Sequence, residues 1–127
     1  MKKFLSITFG ILLSINSFAD SKYLNAFESK LNRTFKVSSP DIHLESNPYI
    51  MQITINKLGS VLNIEHIPSG KKSETEKYYV KSIFNASPFH PLTKHFPSAD
   101  NSITIEATFQ AEVNKPKVSK VILLNVE

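Results

Sequence analysis

The sequence predicts an α+β fold of order α-β-β-α-β(-β), with two helices packed on one face of a small antiparallel sheet. Three observations predict it. Two segments carry apolar residues at helical spacing, around Tyr23–Phe35 and Tyr79–Phe84. Two others alternate apolar and polar residues, Tyr49–Asn56 and Ser102–Gln110. The helical and alternating segments are separated by Gly, Pro and Ser punctuation rather than by long linkers.

The first 19 residues have the three-part plan of a secretory signal peptide. Lys2 and Lys3 give a positive start, Phe4–Ile15 an apolar run of 12 residues, and Ser17-Phe18-Ala19 small residues at a cleavage site. The run falls short of the ~20 residues that span a bilayer, so no stable membrane anchor is expected. The chain has no Cys, which excludes anchoring through a lipidated cysteine and stabilisation by disulfides. A bacterial periplasmic location follows as the expectation, with residues 20–127 as one domain. Removing Lys2 and Lys3 leaves 13 basic against 11 acidic side chains, a net charge of +2. That charge is scattered, and no nucleic-acid partner is predicted.

In the first helix, read as Asp20–Phe35, Tyr23, Phe27, Leu31 and Phe35 form one apolar stripe, with Asp20 or Ser21 as its cap. Val37–Asn47 is a connector. In the first strand Met51, Ile53 and Ile55 face one way. Lys57-Leu58-Gly59-Ser60 is a hairpin connection, with Gly59 able to take a positive φ. Val61–Ile67 returns, with Leu62 and Ile64 as core residues. Ser73-Glu74-Thr75-Glu76 is a capping box in which Ser73 bonds the amide of Glu76 and Glu76 reaches back. Tyr79, Val80, Ile83 and Phe84 are the buried stripe of the second helix, which Pro88 ends. Phe89–Pro97 is a Pro-punctuated loop anchored by Phe89, Leu92 and Phe96. Ile103, Ile105, Ala107 and Phe109 point inward from the third strand. Lys115-Pro116 marks a turn before a last strand, Val118–Val126.

The order of these parts resembles the C-terminal domain of the TonB/TolA energy transducers. The residues that carry the resemblance are Tyr23 in the first helix, Gly59 in the hairpin, Ser69 and Gly70 after it, then Pro88, Phe89, Pro91 and Leu92 in the Pro-rich segment, and Phe109 closing a strand. It covers Tyr23 to Phe109. His90 stands where the family often has Pro. The transducers also carry a membrane helix and a long spacer. Here only about three residues separate a short apolar segment from the first helix, so force transduction by this chain alone is not expected.

The resemblance implies a protein-binding module that adds an extended partner segment to a sheet edge. The implied partner is an envelope protein: an outer-membrane receptor, a Tol–Pal component or a secretion-channel protein. The candidate edge is the third strand, with Ser102, Thr104, Glu106, Thr108 and Gln110 as partner-binding residues. If Val118–Val126 pairs with this strand, the last strand becomes the available edge, or pairs two copies into a homodimer.

No catalytic or cofactor-binding residues are predicted, and the chain is not read as an enzyme. It has no Cys nucleophile and no Ser in a nucleophile elbow. His43, His66, His90 and His95 are widely spaced, and the last two lie in a proline-broken loop, so no metal site is assigned. The alternative class is a periplasmic small-ligand- or metal-binding protein, which a pocket collecting the His side chains would favour.

Overall fold

Helix α1 (Ser17–Val37) is built on the four-residue repeat of the sequence, and Tyr23, Phe27, Leu31 and Phe35 are all buried. In this computed structural model the described residues are 17–37, 40–67, 73–92, 96 and 101–126. Most of the segment read as a signal peptide lies outside them, as do Ser69, Gly70 and His95. Asp20 and Ser21 lie within α1 rather than ahead of it, so neither is its cap.

Strands β1 (Tyr49–Asn56), β2 (Val61–Ile67), β3 (Ser102–Glu112) and β4 (Lys115–Val126) form one antiparallel sheet of order β2-β1-β3-β4. Helix α2 (Glu74–Ala86) lies with α1 against the same sheet face. The element order is the expected α-β-β-α-β-β. Alternation in β1 buries Tyr49, Met51, Ile53 and Ile55 beneath the helices. Ile103, Ile105, Ala107 and Phe109 of β3 lie beside them, in the register Ile53↔Ile105. Burying a branched aliphatic side chain of this kind contributes about 1.5–3 kcal/mol relative to exposure.

Some of the expected packing differs. A bulge between Thr54 and Ile55 makes Ile55 face Val61, and Leu62 is left 58% exposed. Phe84 is 50% exposed, because the buried face of α2 runs through Thr75, Glu76, Tyr79, Ser82, Ile83 and Ala86. The turn expected at Lys115-Pro116 sits two residues earlier. Val113 and Asn114 hold φ values of 50° and 61°, the left-handed pair that closes a two-residue hairpin. Pro116 then lies inside β4, opposite Ala111.

The Asn114 side chain explains the early turn. Its Oδ1 accepts the Leu44 amide at 2.6 Å, and its Nδ2 donates to the Ile42 carbonyl at 3.1 Å. The connector between α1 and β1 is thereby tied to the β3–β4 hairpin, and Leu44 is buried beneath it.

Candidate functional site

Of the residues that carried the resemblance, Tyr23, Gly59, Phe89 and Leu92 hold the Pro-rich segment against the hairpin and the first helix, and their contacts are structural. Gly59 sits at φ +90°, under the Pro-rich segment. Phe89 donates its amide to the Gly59 carbonyl at 2.7 Å, and Leu92 donates to the Lys57 carbonyl at 2.9 Å. A Cβ on Gly59 would meet the Phe89 backbone within contact distance, 2.8 Å from its carbonyl carbon. The Tyr23 hydroxyl donates to the His90 carbonyl at 2.7 Å, and its ring packs edge-on against Phe96. Phe27 lies 4.4 Å from Phe89, centroid to centroid. Lys30 donates to the Pro88 carbonyl and stands over the Phe89 ring. Phe89, Leu92 and Phe109 are buried, whereas Pro88 and Pro91 are exposed.

Strand β3 is not an edge. It pairs with β1 from Ser102 to Phe109 and with β4 from Ile103 to Glu112. Its backbone is therefore unavailable for adding a strand, which corrects the reading of Ser102, Thr104, Glu106, Thr108 and Gln110 as an open edge. Ser102 is buried opposite Asn56. The Thr104 and Thr54 hydroxyls are 3.3 Å apart. Glu106 lies between Gln52 and Ile122, and the Thr108 carbonyl accepts the Ser119 hydroxyl at 3.4 Å. Gln110 donates to the Ser46 carbonyl at 3.1 Å. Local alternation cannot reveal strand order, so only the pairing shows this.

The sheet edges are β2 and β4. On β2, the Val61 amide is taken by the Ser87 hydroxyl at 3.3 Å. The two halves of β4 differ. In the first half, Pro116 has no amide to offer, and the Val118 amide is accepted by Asn32 Oδ1 of α1 at 2.9 Å. A bulge between Thr108 and Phe109 interrupts the register at Ser119. Lys115, Lys117 and Lys120 are exposed along the strand. Proline, bulge, lysine and a covering helix are the devices by which proteins block edge pairing. In the second half, Val121–Val126 is apolar apart from Asn125 and carries no charge. Ile122 is 37% exposed, a second bulge skips Leu124, and among the described residues β4 pairs with β3 alone.

A groove of about 690 Å³ borders the first half of β4. Asn32, Phe35 and Lys36 of α1 form one wall, and Lys115, Lys117 and Ser119 the other. A smaller hollow of about 290 Å³ lies beside it, sharing Lys115, Lys117 and Ser119.

Sequence reasoning missed one polar cluster. Glu76 does not complete the capping box. Its amide donates to Ser73 Oγ at 3.1 Å as expected, but its nearly buried carboxylate turns to His66 Nδ1 at 2.9 Å. His66 stacks on Tyr49, whose hydroxyl meets Ser73 Oγ at 2.8 Å and donates to Glu45. Burial, with the Glu45 carboxylate beside it, holds the Tyr49 phenol above its ordinary range. The cluster ties the start of α2 to β1, β2 and the connector. Its Ser73 hydroxyl is committed to the helix cap. The signal for it was an acidic residue on the buried face of α2, in phase with Tyr79 and Ile83.

His43 and His90 are exposed and His66 half-buried, and no group of three or more His, Asp or Glu able to hold a metal occurs among the described residues. Among those residues, too, no helix is long and apolar enough to cross a membrane. Comparison with protein-family models, curated proteins and solved structures gives no match.

Proposed function

We propose that this chain is a periplasmic protein-binding module resembling the TonB/TolA C-terminal domain, and that it engages an envelope protein through the outer edge of β4. The observation that carries the reading is the uneven protection of that edge. The stretch 115–119 is blocked for pairing by Pro116 and by the Asn32–Val118 bond, whereas 121–126, bulged at Leu124, has apolar residues on both faces and among the described residues no second strand neighbour. Strand addition there supplies main-chain hydrogen bonds, and the flanking side chains supply specificity. The contact of Gly59 with Phe89 supports the family reading, because two of the positions that carry the resemblance meet there.

The test is co-purification of the tagged chain from the envelope of cells that express it naturally, beside an Ile122→Lys variant. Ile122 faces the open side of the sheet opposite Glu106, so a lysine there blocks edge pairing without entering the core. Recovery of an outer-membrane receptor, a Tol–Pal component or a secretion-channel protein by the parent, lost in the variant, is expected. Recovery of nothing, or of the same partner by both chains, contradicts the proposal. Cell fractionation tests the location: the chain is expected in the periplasmic fraction, and recovery with the cytoplasm contradicts it.

A further inference from the structure

We infer that the groove between α1 and the first half of β4 holds an acidic, extended segment of the partner protein, gripped through side chains rather than by strand addition. The inference rests on the reading of β4 as the partner-binding edge and names the chemistry of what binds there. Lys36, Lys115 and Lys117 line the groove against one acidic residue, Glu28. Among the described residues none of these lysines is in an ion pair; the pairs present are His66–Glu76 and Lys77–Glu74, elsewhere on the fold. With Glu28 in the lining and Glu112 opposite Lys115 across the hairpin, the three lysines leave the concavity net positive, which raises the local potential for an anion, and a concave wall focuses it.

The backbone shows why the grip is through side chains. Within 115–119 Pro116 lacks a donor, the Val118 amide is occupied by Asn32, and the bulge at Ser119 breaks the regular spacing. An incoming strand finds two of the outward donors of 115–119 missing or taken, whereas 121–123 keeps regular register with β3 up to a second bulge at Leu124. The five residues 115–119 span roughly 16 Å, room for about five residues of an extended partner. A second observation marks the hairpin end of the groove. Val113 is 92% exposed at φ 50°, one residue from the groove-lining Asn114. A β-branched residue at positive φ costs about 1–2 kcal/mol, and such outliers gather at functional contacts. Val113 and Asn114 form the turn that ends the β4 wall of the groove. A flat anionic bilayer fits this concave arrangement less well than a single extended chain.

The test is selection of random displayed heptapeptides on the immobilised full-length chain, in parallel with a Lys36→Glu/Lys115→Glu/Lys117→Glu variant and with Ile122→Lys. Unchanged thermal unfolding of the charge variant shows that it remains folded. Enrichment of Asp- and Glu-rich peptides, reduced about tenfold by the triple substitution, is expected. Enrichment of peptides without acidic bias, insensitive to the triple substitution but lost in Ile122→Lys, overturns the groove inference and leaves the edge reading standing. No enrichment on any chain defeats both. Binding to phosphatidylglycerol vesicles that the triple substitution abolishes, with no acidic peptide selected, overturns the inference in favour of a lipid surface.

Discussion

Asn32 on α1 and Val118 on β4 are joined by a 2.9 Å hydrogen bond in which the strand amide donates to the helix side chain. The bond occupies a main-chain donor that an added strand would need. It also fastens the first helix to the edge of the sheet. Replacing Asn32 with Leu removes the acceptor and costs about 1 kcal/mol in urea unfolding. Amide hydrogen exchange at Val118 is expected to accelerate at least tenfold, with Ile105 in the sheet centre still protected. Unchanged exchange at Val118 would contradict this assignment.

The pair His66–Glu76 is the second point where a helix is fastened to the sheet, here α2 to β2. Glu76→Gln and His66→Gln are each expected to destabilise the fold by about 1–3 kcal/mol. The double variant should lose less than their sum, with a coupling of about 1 kcal/mol or more in a double-mutant cycle. Strict additivity would show that the two side chains do not act as a pair.

Gly59→Ala should be among the most damaging surface-loop substitutions. The alanine would have to adopt φ +90° and push its Cβ into the Phe89 backbone. A loss of about 2–3 kcal/mol is expected by chemical denaturation. A loss under half a unit on that scale would mean that the Pro-rich segment is not held against the hairpin.

How much of this was legible in the sequence depends on the range of the interaction. The stripe Tyr23–Phe27–Leu31–Phe35 and the alternation of β1 and β3 declare themselves locally, because burial of one face imposes the period. The anchors Phe89, Leu92 and Phe96 were legible as apolar residues among prolines. Strand order was not, since β3 shows the same alternation whether it has one neighbour or two. The hairpin was misplaced because Val113-Asn114 contains no Gly, and its turn is held by a side chain bonded to residues about seventy positions away. Glu76 had a sufficient local explanation as a cap, and its partner comes from another element.

Burial raises the phenol pKa of Tyr23 and Tyr79 well above the ordinary value near 10. The folded state therefore holds both phenols neutral where the unfolded chain would ionise them. That stabilisation is intact below the unfolded value near 10 and is lost as pH climbs through the raised folded values. An alkaline titration should thus show tyrosinate absorbance from these residues rising together with the loss of helical circular dichroism. Full ionisation of all four tyrosines near pH 10 with the fold intact would contradict their burial.

The most direct test of the central claim is site-specific photocross-linking in intact cells. The reactive group is placed at Ser119 and Lys120 on β4, and for comparison at Asn63 on β2 and Lys81 on the exposed side of α2. The account predicts a discrete adduct with one envelope protein from the β4 positions and none from Asn63 or Lys81. Adducts from Asn63 alone, adducts solely with a second copy of the chain, or no adduct from β4 would contradict it.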